Sequence, residues 1–252
     1  MLDLISIITP SYNSKDFIPE TIASVLAQTY QSWEMIIVDD CSSDRSVAYI
    51  QSLIDGDDRF KLIALDQNVG AAKARNIAIQ EAKGRYIAFL DSDDIWYANK
   101  LERQIDFMKK SDISLSYSSY YSIDEFSGEV INEIIIPKKI DYFELLKQNI
   151  IGCLTAMYDT KVLGKVYMPD IRKRQDFALW LKILKMVPYA YGIDEPLAYY
   201  RIREDSISNN KLKASLYNWK MYREIEKLPL YKAIYYFACY TYNSIFHKRN
   251  RK

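Results

Sequence analysis

Cysteine is scarce in this chain: Cys41, Cys153 and Cys239 are the only three in 252 residues. They stand far apart, form no CxxC pair and are odd in number, which argues against a disulfide framework or structural zinc and for a reducing compartment. Charge of one sign is also missing. A net charge of +1 argues against a polyanion such as duplex DNA as the main partner, because sequence-independent binding of that kind rests on many phosphate contacts. No long hydrophobic run occurs. The longest uncharged stretch, 233–246, falls short of the roughly 20 residues a membrane-spanning helix needs. No basic segment precedes the first strand-like residues, 4–9, so a signal peptide is not expected. These absences predict a cytoplasmic protein, attached at most to the inner face of the cell membrane.

Two nucleotide motifs are absent as well. There is no GxGxxG after the first strand-like segment and no GxxxxGK[ST], so neither a dinucleotide fingerprint nor a P-loop is supported. What the chain has instead is GRYIAFLDSDD at 84–94. An uninterrupted apolar run, the pattern of a strand buried on both faces, ends in Asp91, Ser92, Asp93 and Asp94. Three anions at the tip of a buried strand need a positive or hydrogen-bonding partner there. Carboxylates at i and i+2 suit a Mg2+ or Mn2+ that completes its shell with substrate phosphates. The competing account makes Asp94 the cap of a helix over 98–110, but capping needs one such residue and three are present.

Around that stretch, the first 110 residues alternate strand and helix. Strands are expected at 4–9, 35–38, 60–65 and 86–90, and helices near 18–26, 47–54 (with Ser42, Ser43 and Asp44 as candidate caps) and from 68 onward. Such alternation implies βαβ units and a Rossmann-like, doubly wound, mostly parallel α/β sheet. Asp39 and Asp40 end the second strand, Pro10, Ser11 and Tyr12 the first, and Lys73 and Arg75 open the fourth helix-strand unit. Carboxylates and cations gathered at strand ends describe a nucleotide-diphosphate site.

The stretches IITPSYN (7–13), SVLAQTY (24–30), IIVDDCSSD (36–44), NVGAAKARN (68–76) and FLDSDD (89–94) resemble, in order, the signatures of glycosyltransferase family 2, whose fold is called GT-A. The resemblance implies inverting transfer of a sugar from a nucleotide-sugar with Mn2+ or Mg2+. It implies that Pro10, Tyr12 and Asp40 frame the uracil, that Arg75 lies near the diphosphate, that Asp91 and Ser92 meet the ribose or metal, and that Asp93 coordinates the metal.

The second half, 111–208, is expected to carry the acceptor side, with strands at 114–122, 129–136 and 153–158 and a short helix at 142–147. In RKRQDFALWLKIL (172–184), Asp176 precedes an apolar helical face. Asp176 reads either as a cap favoured by the helix dipole or, by the family resemblance, as the general base. The family often has Glu-Asp where this chain has Gln175-Asp176. The stretch 196–208 resembles the family's closing motif, a strand and a loop over the diphosphate. Arg203 stands where many members have a metal-binding His, and the only His here is His247; an Arg suits bidentate phosphate contact. Arg201 and Arg203 could equally be solvated loop charges.

Residues 209–252 differ in composition. Five Tyr between 231 and 242 and four cations in 248–252 match an interfacial helix that meets anionic lipid, or a helix docked on the 1–208 catalytic unit. With this tail, the resemblance to glycosyltransferase family 2 implies a UDP-sugar-dependent transferase acting on a saccharide acceptor carried on polyprenyl diphosphate, in O-antigen or capsule synthesis. The rivals are a non-catalytic nucleotide-sugar-binding scaffold and a nucleotidyltransferase. The latter would want a Gly-rich basic loop after the first strand, which PSYN is not.

Overall fold

The computed structural model describes residues 3–203 and 211–246. The expected closing loop at 204–208, His247 and the basic tail at 248–252 lie outside the described residues.

The apolar runs of the first half build parallel strands β1 (Ile5–Ser11), β2 (Trp33–Asp39), β3 (Phe60–Ala64) and β4 (Tyr86–Phe89), in the order β3-β2-β1-β4. The second half adds β5 (Ile95–Trp96), β6 (Leu115–Asp124), β7 (Val130–Ile134), β8 (Lys139–Ile140), β9 (Met157–Asp159) and β10 (Ala190–Ile202). Strand β9 runs antiparallel between β4 and β6, and β10 lies parallel to β6. Six strands, β1 to β4 with β6 and β10, therefore point the same way in the ten-stranded sheet.

Side chains alternate across this sheet as the strand period requires. Ile8, Ile36, Val38, Ile87 and Phe89 enter one core, and Ile7, Met35, Ile37, Ala88 and Leu90 the other. Helices α1 (Ile18–Leu26), α2 (Ser46–Ile54) and α4 (Lys100–Lys110) supply the second core, while α3 (Ala71–Glu81), α5 (Tyr142–Lys147) and α7 (Gln175–Leu184) supply the first; α6 (Thr160–Leu163) is a single turn after β9. Parallel strands need both faces covered, and the doubly wound architecture read from the sequence is the one observed.

Three local expectations change. The strand expected at 153–158 is a 3-10 turn, Cys153–Thr155, followed by β9. Because β9 is antiparallel to β4, with Ala88 opposite Met157, that turn sits at the carboxyl end of β4. Helix α4 begins at Lys100 with Asn99 as its cap residue, and β5 separates it from Asp94, so Asp94 is not its cap. Helix α2 is entered through Arg45 at φ 68°, while Asp44 Oδ1 accepts from the Ser46 N–H at 2.9 Å.

Helix α4 contains a buried charge problem. Lys100 is fully buried, its Nζ lies 3.7 Å from the Trp96 ring centroid, and it has no hydrogen-bond partner. Burial pushes its pKa well below the ordinary lysine value, so the unfolded chain holds this proton more tightly than the fold and stability rises with pH toward about 10.4. Lys100→Met is therefore expected to raise the melting temperature at pH 7 by a few degrees, as about 1 kcal/mol does for a chain this size. The gain should shrink as pH approaches 10, and thermal melts across pH check it; an unchanged or lowered melting temperature at pH 7 would contradict it.

The extension folds onto the same core. Helix α8 (Lys211–Lys220) passes through a π-helical turn, Met221–Ile225, to α9 (Leu230–Phe246), with Pro229 just before it. The fully buried Tyr222 donates its hydroxyl to the Leu146 carbonyl at 2.5 Å, and Lys185 pairs with Glu226 at 2.6 Å. Ala233, Tyr236, Phe237 and Tyr240 pack inward, whereas Leu230, Tyr231, Ile234, Tyr235 and Tyr242 remain exposed. The five tyrosines are thus split between two faces of one helix. Among the described residues no helix is long and apolar enough to cross a membrane.

Candidate active site

Parallel β1, β2 and β4 bring their carboxyl ends to one edge, the usual ligand position in such sheets. Backbone bonds tie the tips together: Asp40 N–H to the Ser11 carbonyl at 2.8 Å and Leu90 N–H to the Ile8 carbonyl at 3.1 Å. Pro10 is half-buried in the last turn of β1, and Tyr12 beyond it is 52% exposed. Asp40 is buried, and its two oxygens accept from the N–H groups of Val69 at 2.6 Å and Gly70 at 2.8 Å. It therefore fixes the loop that opens α3 while keeping lone pairs for a further donor. Asp39, given no role by sequence reasoning, accepts from Ser42 N–H at 2.9 Å, Ser42 Oγ at 2.6 Å and Ser11 Oγ at 3.1 Å, locking β1 to the β2 loop.

At the tip of β4, the Asp94 N–H bonds the Asp91 carbonyl at 3.1 Å, a turn in which Ser92 is half-buried. Arg75, reaching up from α3, pairs its Nη2 with Asp91 Oδ1 at 2.5 Å. Its Nε and Nη1 are buried without partners. Burial alone would lower the Arg75 pKa, but Asp91 outweighs it, aided by Cys153 and Asp176, and the net direction is up. Arg75 thus stands beneath Asp91, within electrostatic reach of Asp176.

Two arginines of β10 and its end close the other side. Arg201, which sequence reasoning allowed as a solvated charge, is 5% exposed. Its Nε donates to the Asp93 carbonyl at 2.9 Å, Nη1 to the Glu125 carbonyl at 3.1 Å and Nη2 to Glu20 at 2.6 Å; its backbone N–H donates to Asp94 Oδ1 at 3.0 Å. Asp94 is therefore a structural anchor. Burial, then the charges of Asp93 and Asp91, hold its carboxyl well above the usual range. Arg203 is more loosely held, with Nη1 3.5 Å from Asp93 Oδ2 and Nε 3.4 Å from Glu125 Oε1. The Asp93 carboxyl is raised by burial and by Asp91, against the opposing pull of Arg203.

Asp176 lies in the first turn of α7, whose cap residue is Arg174 at φ 66°, so Asp176 is not the cap. Its Oδ2 accepts from Asn149 Nδ2 at 3.4 Å. Cys153 is within electrostatic reach of both Asp176 and Asp91, its thiol pushed well up by burial despite Arg75, and further by both carboxylates. Trp180, one turn along α7, packs edge-on against Phe89 at 5.3 Å between centroids, which fixes the helix over β4. Asn149, Cys153 and Glu125 had no sequence motif to announce them, and Arg201, although within the 196–208 motif, was given no role of its own.

Among the described residues no three His, Cys, Asp or Glu side chains converge. The residues present fit a hard divalent cation with an incomplete protein shell, which is how Mg2+ and Mn2+ commonly bind beside phosphates. Asp91 and Asp93 are two positions apart with side chains 29% and 27% exposed. The upward shift of Asp93 caused by Asp91 is a repulsion that a bound cation relieves.

The model of a family described as Glycosyl transferase family 2 matches residues 6–166. The chain belongs to glycosyl transferase family 2. A Bacillus subtilis relative, TuaG, provisionally named a teichuronic acid biosynthesis glycosyltransferase, is 46% identical over 242 residues, covering 96% of each chain. An Escherichia coli relative, WfgD, is named UDP-Glc:alpha-D-GlcNAc-diphosphoundecaprenol beta-1,3-glucosyltransferase. It is 43% identical over 238 residues, 94% of this chain and 92% of its own. The crystal structure of Staphylococcus aureus TarS 1-349 in complex with UDP-GlcNAc superposes with TM-score 0.74 at 19% identity, covering 99% of this chain and 74% of that 1-349 chain. The fold is thus that of the GT-A enzymes anticipated from the sequence, and the protein is a family 2 glycosyltransferase.

Proposed function

We propose that this enzyme is a divalent-cation-dependent, inverting glycosyltransferase that moves a sugar from a UDP-sugar to a hydroxyl of a saccharide carried on polyprenyl diphosphate, in bacterial surface polysaccharide synthesis. The observation that carries the reading is the grouping of Asp91, Asp93, Arg75, Arg203 and Asp176 around the carboxyl end of β4. The names of TuaG and WfgD support the polysaccharide and lipid-linked parts.

In this reading Pro10, Tyr12 and Asp40 frame the uracil, with Tyr12 offering its exposed ring. Asp91 and Ser92 meet the ribose and metal, and Arg203 meets the diphosphate. Arg75 acts through Asp91, holding its carboxylate in place. Asp91 and Asp93 would hold Mn2+ or Mg2+, which would supply Lewis-acid stabilisation of the departing diphosphate. Asp176, steadied by Asn149, takes the proton of the acceptor hydroxyl as its oxygen bonds to the anomeric carbon. Residues 1–208 form the catalytic unit, 1–110 holding the donor and 111–208 the acceptor. The enzyme works on the cytoplasmic side.

The experiment that tests this is product analysis after incubation with UDP-glucose, Mn2+ and a GlcNAc-diphosphate lipid. A β-linked disaccharide, read from its anomeric proton coupling, is expected. An α-linked product would contradict inversion, and a free GlcNAc monosaccharide accepted as well as the lipid form would contradict the lipid-borne acceptor.

The 209–252 extension carries the membrane part of the proposal. The outward stripe Tyr231, Ile234, Tyr235 and Tyr242 of α9 faces anionic lipid, aided by the four cations of 248–252. Replacing Tyr231 and Tyr235 by Glu should cut flotation with vesicles of phosphatidylglycerol and phosphatidylethanolamine at least ~10-fold, since burial of apolar area and charge attraction are both lost. Unchanged flotation would overturn it.

A further inference from the structure

Phe17 is flanked by two guanidinium groups that behave differently. Arg201 lies 5.2 Å and Arg203 4.7 Å from its ring centroid. The Arg201 side chain is 4% exposed and has three short hydrogen bonds, so it is fixed. Arg203, two residues on, is 33% exposed, and its two ion pairs, to Asp93 at 3.5 Å and Glu125 at 3.4 Å, are long. A guanidinium has five donors in a planar fork, and among the described residues these two long contacts engage only part of it. Its partner Asp93 is one of the two carboxylates that fit a divalent cation. Arg203 therefore occupies, as a cation, one side of a carboxylate that a metal would also need.

We infer that Arg203 is a displaceable internal cation that makes metal binding depend on the nucleotide diphosphate. The inference rests on the donor site proposed above. With no diphosphate present, a divalent ion approaching Asp93 meets a positive charge 3.5 Å away and must push it aside, leaving it the long contact to Glu125. With diphosphate present, the freed guanidinium gains phosphate oxygens, which suit its fork. Metal and diphosphate then strengthen each other's binding through one side chain, and linkage makes the effect reciprocal. Arg203 is in this sense a positioning residue that selects the metal–diphosphate pair over the bare metal.

The test is titration of the full chain with Mn2+, followed by calorimetry or by electron paramagnetic resonance of free Mn2+, with and without UDP. Couplings of this type are typically about 5- to 150-fold. Arg203→Gln is expected to bind Mn2+ alone at least ~5-fold more tightly than wild type, and to lose about the same factor from the gain that UDP confers. Arg203→Lys keeps the charge and should hold the Mn2+-only affinity near wild type while losing part of the UDP gain. Thermal melts report whether the variants are folded. Equal Mn2+ affinity in wild type and Arg203→Gln without UDP overturns the inference, as does tightening by Arg203→Lys equal to that by Arg203→Gln. A wild type that binds UDP but never Mn2+ instead contradicts the cation-dependent reading beneath it, and the inference falls with that reading.

Discussion

Asp93→Asn is expected to lose at least ~10³ in transfer rate, because metal stabilisation of a leaving group contributes several kcal/mol and each 1.36 kcal/mol is tenfold. The fold should not suffer. Burial and the neighbouring Asp91 charge raise the Asp93 carboxyl, so ionising it costs stability that a neutral side chain does not lose. The sign follows from linkage: with a raised folded pKa, stability is fully present below the unfolded value near 4 and is lost as pH rises through the folded one. Asn mimics the protonated form. Metal-free Asp93→Asn should therefore melt no lower than wild type at pH 7, and any gain should vanish as pH falls below about 4. The lost ion pair to Arg203 is long and partly exposed and contributes little, while Arg201 grips the Asp93 carbonyl, which the substitution leaves alone. Rates of UDP release and thermal melts on one sample check both halves. Near-wild-type turnover would remove Asp93 from the metal, and a large drop in melting temperature would mean its charge is structurally required.

The second large effect is at Asp176. Asp176→Asn should lose roughly 10²–10⁴ in transfer, the usual contribution of a positioned general base. It should still bind UDP and Mn2+, since Asp176 is carried by α7 and, in this reading, holds neither the metal nor the nucleotide. Stability should change little, because Asp176 is not the helix cap and its hydrogen bond from Asn149, at 3.4 Å, is weak. A folded, UDP-binding variant that has lost transfer fits the base role. Retained turnover would reduce Asp176 to a first-turn acid that interacts favourably with the helix dipole.

The donor half was legible in the sequence because its physics is local. Each strand from β1 to β4 is a largely apolar run that ends at a turn or a carboxylate, and β1 to β3 are each followed by a helix, so period and punctuation suffice. The acceptor half depends on pairings distant in sequence. β9 inserts between β4 and β6 out of chain order, which turned an expected strand at 153–158 into a 3-10 turn with Cys153 under the site. The motif residues were identifiable, but their hydrogen bonds were not: nothing in VDDCSSD says that Asp40 turns both oxygens toward Val69 and Gly70. Arg201 shows the limit most clearly. It is adjacent to an exposed residue, Ile202, and its partners Glu20, Asp93 and Glu125 lie 181, 108 and 76 positions away. Burial of a charge by such distant groups leaves no local trace. The extension is intermediate: its run of tyrosines marked a helix, interfacial or docked, but only packing shows which tyrosines turn inward.

The central claim is acceptor-dependent sugar transfer from a UDP-sugar at the β4 tip. The most direct measurement is UDP release from a panel of UDP-hexoses and UDP-N-acetylhexosamines with Mn2+, with and without a lipid-diphosphate-GlcNAc acceptor, for wild type and Asp93→Asn in parallel. One donor should give release that rises with acceptor in the wild type and is absent in the variant. Release that ignores the acceptor, or that survives loss of Asp93, would contradict the account.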